Sequence, residues 1–125
     1  MPRSRKSTIE IGLNGEQEAI QWLRDNGFLI IDTNWRTGRY EIDIIAQKGG
    51  GVHFVEVKTR KAGGMTTPEM AMTPVKIKAL LKAANLYISA YNIDADCHID
   101  LIAIETWPDG EISIRYIPDA GNIRW

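Results

Sequence analysis

Two short runs, Tyr40-Glu41-Ile42-Asp43-Ile44-Ile45-Ala46 and Val52-His53-Phe54-Val55-Glu56-Val57-Lys58, flank the turn-forming stretch Lys48-Gly49-Gly50-Gly51. Both runs are rich in β-branched and aromatic residues, so the segment is predicted to form an antiparallel hairpin. Residues two apart on a strand share a face. Glu56 and Lys58 therefore lie on one face, with Val55 and Val57 on the other. Pairing across the turn can bring Asp43 close to both. An Asp, a Glu and a Lys then converge on strands that would otherwise present apolar residues. Two carboxylates can hold a divalent cation, and a nearby ammonium can activate or position a water.

The chain has 125 residues, 44% of them hydrophobic and 25% charged, which fits one soluble globular domain with a sizeable core. No apolar run approaches the roughly 20 residues of a membrane helix. The basic start, Met1-Pro2-Arg3-Ser4-Arg5-Lys6, is not followed by an apolar segment, so it is not read as a secretory signal. The single Cys97 excludes an intramolecular disulfide and fits a reducing, cytoplasmic setting. It is expected to pack inertly within a strand. The net charge of −1 gives no global basic field. Cations nevertheless cluster at Arg3, Arg5 and Lys6, at Arg36 and Arg39, at Lys58, Arg60 and Lys61, and at Lys76, Lys78 and Lys82.

Residues 1–8 read as a flexible basic arm, and 9–125 as a single domain. A helix is expected from about Ile11 to Asp25, ended by Asn26-Gly27, with Ala19, Ile20 and Leu23 as its apolar stripe. Glu16 falls on that core-facing side. Phe28 to Ile31 is a short strand, 32–39 a polar loop, and 59–72 a longer loop after the hairpin. Thr73-Pro74 starts a second helix reaching about Ala90, which is expected to bury Ile77, Leu80, Leu81, Ala84 and Ile88. Strands follow at Cys97 to Glu105 and Glu111 to Ile117, separated by the Trp107-Pro108-Asp109-Gly110 turn. The order α-β-β-β-α-β-β makes this an α/β chain. It is expected to form a mixed five-stranded sheet flanked by helices, with the second helix as the crossover.

Glu16, Asp43, Glu56 and Lys58 carry the chemistry. Oxygen ligands without a Cys or His cluster favour a hard ion such as Mg²⁺. Lys58 could orient the attacking water, act as a base, or steady a pentavalent phosphate. These elements suit phosphodiester hydrolysis. The plainer alternative is that Glu56 and Lys58 are an exposed same-face pair and Asp43 the solvent side of its neighbour. Glu16 weighs against that alternative, because a carboxylate on an apolar stripe is costly unless it has a partner.

Gly12-x-x-Gly15-Glu16-x-x-Ala19, Asn34-x-Arg36, Glu41-Ile42-Asp43-Ile44-Ile45-Ala46 and Phe54-Val55-Glu56-Val57-Lys58-Thr59-Arg60 together resemble the YraN-like family of small bacterial proteins. That family is related to archaeal Holliday-junction resolvases within the PD-(D/E)xK nuclease superfamily. The resemblance covers roughly residues 9–104. It implies a restriction-endonuclease-like core, with Asp43, Glu56 and the backbone carbonyl of Val57 as metal ligands for Mg²⁺ or Mn²⁺. It also implies Lys58 as the catalytic lysine and Glu16 as the helix-borne acid. The chain departs from the family pattern at Tyr40, where glycine usually precedes the Glu-Ile-Asp run. The function implied is a metal-dependent endonuclease acting on DNA, branched DNA such as Holliday junctions included, and a two-fold junction would call for a homodimer. The alternatives are a nucleic-acid-binding protein without turnover, and a protein-interaction module that retains the fold.

Arg36, Arg39, Arg60 and Lys61 flank these positions and are candidates for holding DNA phosphates. Glu41 is read as an acid supporting Asp43 or as a surface residue. Gln47 is read mainly as a solvated strand end. His53, His98 and Asp100 are expected to be structural. Asn34 either braces its loop or touches substrate. The scattered Trp22, Trp35, Trp107 and Trp125 do not suggest a stacking platform.

Overall fold

The computed structural model describes residues 3–5 and 8–120, with side chains from Gly15 onward. The hairpin forms as its glycines require. β3 (Tyr40–Lys48) and β4 (Gly51–Lys61) are antiparallel, and Lys48↔Gly51 closes a turn in which Gly49 adopts φ 58°. Positive φ is what a two-residue hairpin turn demands, and glycine supplies it without steric cost. β2 (Leu29–Thr37) pairs antiparallel with β3. α2 (Pro74–Ala90) then carries the chain across, so β5 (Asp96–Thr106) lies parallel to β4, and β6 (Glu111–Ile117) returns antiparallel to β5. These elements are the expected mixed five-stranded sheet. A three-residue strand, β1 (Arg3–Arg5), is added beside β6, giving the order β1-β6-β5-β4-β3-β2. Residues 1–2 and 6–7 of the segment expected to be an arm lie outside the described residues.

The sheet is covered on both faces. α1 (Thr8–Asp25) sets Ala19, Ile20 and Leu23 against Ile44, Val55, Ile102 and Ile104. α2 sets Ile77, Leu80 and Tyr87 against Phe54, Leu101 and Ala103. Alternation along β4 feeds the two layers in turn: Phe54 belongs to the α2 layer and Val55 to the α1 layer. Thr73 caps α2 by accepting the Lys76 amide, and Pro74 occupies its first turn, where a missing amide costs nothing. No helix among the described residues is long and apolar enough to cross a membrane.

The structure corrects four expectations. Residues 32–39 are not a loop, because β2 continues through them to Thr37 with a bulge at Ile30/Asp32. β2 is an edge strand, and half-exposed edge positions tolerate the polar residues that made the stretch read as a loop. The 59–72 loop is shorter than expected: β4 runs on to Lys61, and Pro68–Ala71 form a 3₁₀ turn. Leu81 is 45% exposed on the outer side of α2 rather than buried. Cys97 lies in β5 but is exposed.

Candidate active site

β3 and β4 pair as far as Ile44↔Val55 and stop, whereas β4 keeps its β5 partner to Lys61↔Thr106. Continuing the hairpin register by one residue would set Asp43 opposite Glu56. At that point the strands part, and side-chain chemistry replaces the ladder. Asp43 Oδ2 accepts the Val57 N–H at 2.9 Å.

Glu56 is only 3% exposed, in the layer beneath α2. The ammonium of Lys76, from the first turns of α2, lies 2.9 Å from Glu56 Oε2, and that of Lys58 lies 3.7 Å away. Among the described residues Oε2 nevertheless has no donor in hydrogen-bond geometry, so both lysines act on it as charges rather than as aligned donors. Burial, first, and then the hydrogen bond and charge of Glu56 push the Asp43 carboxyl up to about 7; the Val57 amide opposes this in part, and Glu16 adds to it.

Glu16 reaches this corner from α1. Burial raises its carboxyl above the ordinary range, a hydrogen bond from Asn34 Nδ2 at 2.8 Å partly offsets the rise, and the Glu41 charge adds to it. Asn34 holds φ 51° within β2, a conformation asparagine tolerates better than most residues. Asn34 thus braces the helix-borne acid. A Cβ at Gly15 would stand 2.9 Å from Thr59 Oγ1, so this glycine allows α1 to approach β4 beside Glu16.

The structure brings Glu16, Asp43, Glu56 and Lys58 to one corner and adds Lys76. Nothing in the sequence links residue 76 to residue 56; only the crossover of α2 brings them together. Among the described residues no three or more His, Cys, Asp or Glu side chains are arranged to hold a metal. The acid pair itself supplies two hard oxygen donors. A buried carboxylate oxygen without a hydrogen bond, and a second carboxyl forced toward neutrality by it, are both relieved by a divalent cation. The residues present fit such an ion.

The flanking cations do not form one contacting cluster. Arg36 pairs with Glu41, which ties that acid to the strand surface, and Arg39 donates to the Tyr40 hydroxyl at 3.3 Å. Arg60 turns back to the Thr59 carbonyl at 2.9 Å, and Lys61 is exposed at the end of β4. Gln47 is exposed. Asp100 is fully buried: it accepts the Tyr116 hydroxyl at 2.6 Å and the Asp119 amide at 2.9 Å, and His53 Nδ1 lies 2.6 Å away. His98 Nδ1 sits 2.7 Å from Asp119.

Residues 15–104 match the uncharacterised protein family UPF0102. The chain belongs to the UPF0102 family. Similar UPF0102 proteins occur in Symbiobacterium thermophilum (40% identical, over 88% of this chain and 94% of that one) and Bacteroides thetaiotaomicron (37%, over 89% and 91%). Another, from Oleidesulfovibrio alaskensis, is 41% identical over 78% of this chain but only 49% of its own length, so this chain spans about half of that relative. Among solved structures, Pyrococcus furiosus SfsA in complex with Ca²⁺ is similar at TM-score 0.37 and 19% identity, over 84% of this chain and 59% of that one. The part matching UPF0102 contains every acid and lysine of the corner described above.

Proposed function

We propose that this UPF0102 protein is a divalent-cation-dependent endonuclease that hydrolyses DNA phosphodiester bonds, branched DNA such as four-way junctions included. The observation that carries the reading is the Asp43–Glu56 pair, set where β3 and β4 part and flanked by two ammoniums. Asp43, Glu56 and the Val57 carbonyl would hold Mg²⁺ or Mn²⁺, which when bound lowers the pKa of water and offsets charge on phosphate oxygens. Asp43 holds a proton near neutrality and must release it before it serves as a ligand. The Lys76 and Lys58 ammoniums lie 2.9 Å and 3.7 Å from Glu56 Oε2. The Lys58 ammonium orients the attacking water or steadies charge on the phosphate. Glu16, fixed by Asn34, presents a carboxyl toward the same corner. Arg36, Arg39, Arg60 and Lys61 hold flanking phosphates and so position DNA without reading its sequence. A four-way junction would engage two copies of the chain.

A second reading, a nucleic-acid-binding protein without turnover, is favoured by Lys76 alone: an ammonium 2.9 Å from Glu56 already supplies the countercharge a metal would bring. Labelled four-way-junction, flap, single-stranded and duplex DNA, incubated with Mg²⁺ or Mn²⁺, separate the two. Cleavage by the wild type that Asp43→Ala and Lys58→Ala both abolish supports the nuclease. Binding without cleavage of any substrate moves the assignment to the second reading.

A further inference from the structure

A groove of about 710 Å³ runs along the outer side of α2 beside the turn between β2 and β3. Tyr40, Val75 and Leu81 give it an apolar floor, while Arg39, Lys78 and Lys82 supply positive charge; among the described residues none that lines it is acidic. Val75, Lys78 and Lys82 are spaced i, i+3 and i+7 on α2, so they form one stripe, opposite the buried Ile77, Leu80 and Tyr87. Val75 is 80% exposed and Leu81 45%, which leaves apolar surface open beside three cations in a chain whose net charge is −1. Tyr40 is half-buried, with the Arg39 guanidinium 5.4 Å from its ring centroid. The hydrogen bond from Arg39 and the charges of Arg39 and Lys82 pull the Tyr40 phenol down, which places Lys82 close to the ring as well.

The groove and the acid corner share two elements, β3 and α2. Tyr40 precedes Asp43 by three residues on β3, about 10 Å along a strand, or roughly three stacked nucleotides. Lys76 follows Val75 on α2, but its ammonium faces Glu56 beneath the helix rather than the groove. A polyanion in the groove would lie within about 10 Å of Asp43 along β3.

We infer that this groove binds the unpaired strand of a DNA substrate, with Arg39, Lys78 and Lys82 on its phosphates and the Tyr40 ring stacked on one exposed base. The inference rests on the nuclease reading above for the choice of DNA over other polyanions. A lone aromatic ring needs a base with a free face, which duplex DNA does not offer and an unpaired strand does. The preferred substrate is thus DNA with an unpaired strand beside the scissile bond, such as a flap or a frayed junction arm.

The test is fluorescence polarisation of labelled oligothymidine and of an equally long blunt duplex, with the full chain in EDTA, so that binding is read apart from cleavage. The oligothymidine is expected to bind more tightly, with a slope of log K against log salt of about −2 for three phosphate contacts. Lys78→Glu with Lys82→Glu, both on the exposed side of α2, is expected to cost tenfold or more in affinity with an unchanged melting temperature. Tyr40→Ala should lose roughly tenfold, and Tyr40→Phe, which keeps both stacking and packing, should stay within twofold of wild type. Preference for the duplex, affinity untouched by the charge reversals, or competition by polyglutamate equal to that by oligothymidine would overturn the inference. Retained oligothymidine binding without Mg²⁺-dependent cleavage would sink the nuclease reading and leave the groove. Cleavage of flap DNA indifferent to the groove variants would do the reverse.

Discussion

Replacing Asp43 with Asn should stabilise the metal-free protein while destroying its ability to hold a cation. Asp43 is pushed from 3.8 up to about 7, first by burial and then by Glu56. Below pH 3.8 the carboxyl is protonated folded and unfolded, and no penalty exists. As pH rises toward 7 the unfolded chain sheds this proton first, so stability falls, and the loss levels off above about pH 7. A shift of about 3 units corresponds to a ceiling of about 4 kcal/mol. Because Asp43 is only half-buried and solvent screens part of the penalty, about 2 kcal/mol is the gain expected for the neutral isostere at pH 8. At pH 4 wild type and variant should be nearly equal. Urea unfolding of both proteins at the two pH values, in EDTA, measures this directly. Repeating the pH 8 experiment with Mg²⁺ should stabilise the wild type alone, because a ligand that binds only the folded state stabilises it by mass action. A variant no more stable than wild type at pH 8, or a difference that ignores pH, would refute the claim that two carboxylates are forced together here.

Three further outcomes follow from the same contacts. Lys76→Met removes the ammonium nearest Glu56 and should tighten Mn²⁺ binding about fivefold by calorimetry, the worth of one partly exposed ion pair; unchanged affinity would contradict its role as countercharge. Asp100→Ala strands the Tyr116 hydroxyl and the Asp119 amide at a fully buried position and should cost about 3 kcal/mol in urea unfolding; a loss under about 1 kcal/mol would show that the network relaxes freely. Phe54→Ala opens a cavity under α2 and should cost about 3–5 kcal/mol, and a smaller loss would mean that Tyr87 and Leu80 collapse into the space.

How much was legible depended on whether a feature was local. The turn at Gly49, the N-cap at Thr73 and the alternation around Phe54 and Val55 are short-range patterns, and each was readable in the chain. The hairpin register, carried from Lys48↔Gly51, was enough to aim Asp43 at Glu56. The end of pairing at Ile44↔Val55 was not readable, because it depends on Asp43 Oδ2 taking the Val57 amide. β2 was hidden by its edge position, where Asp32, Asn34 and Arg36 look like loop residues but remain compatible with a ladder on one side. In the sequence Lys76 is one charge among several on a helix. Its contact with Glu56 comes from tertiary packing and left no spacing signal. Leu81 keeps the helical period of the buried residues yet lies at the margin of that stripe, 45% exposed and lining the groove.

The most direct measurement is Mn²⁺ binding to the purified protein by isothermal titration calorimetry at pH 6.5 and 8, with wild type beside Asp43→Ala and Glu56→Ala. One ion per chain is expected, bound more weakly at pH 6.5, where Asp43 must first give up its proton, and lost in both variants. Absence of binding by the wild type, or binding that survives both substitutions, would contradict the claim that Asp43 and Glu56 form a cation site.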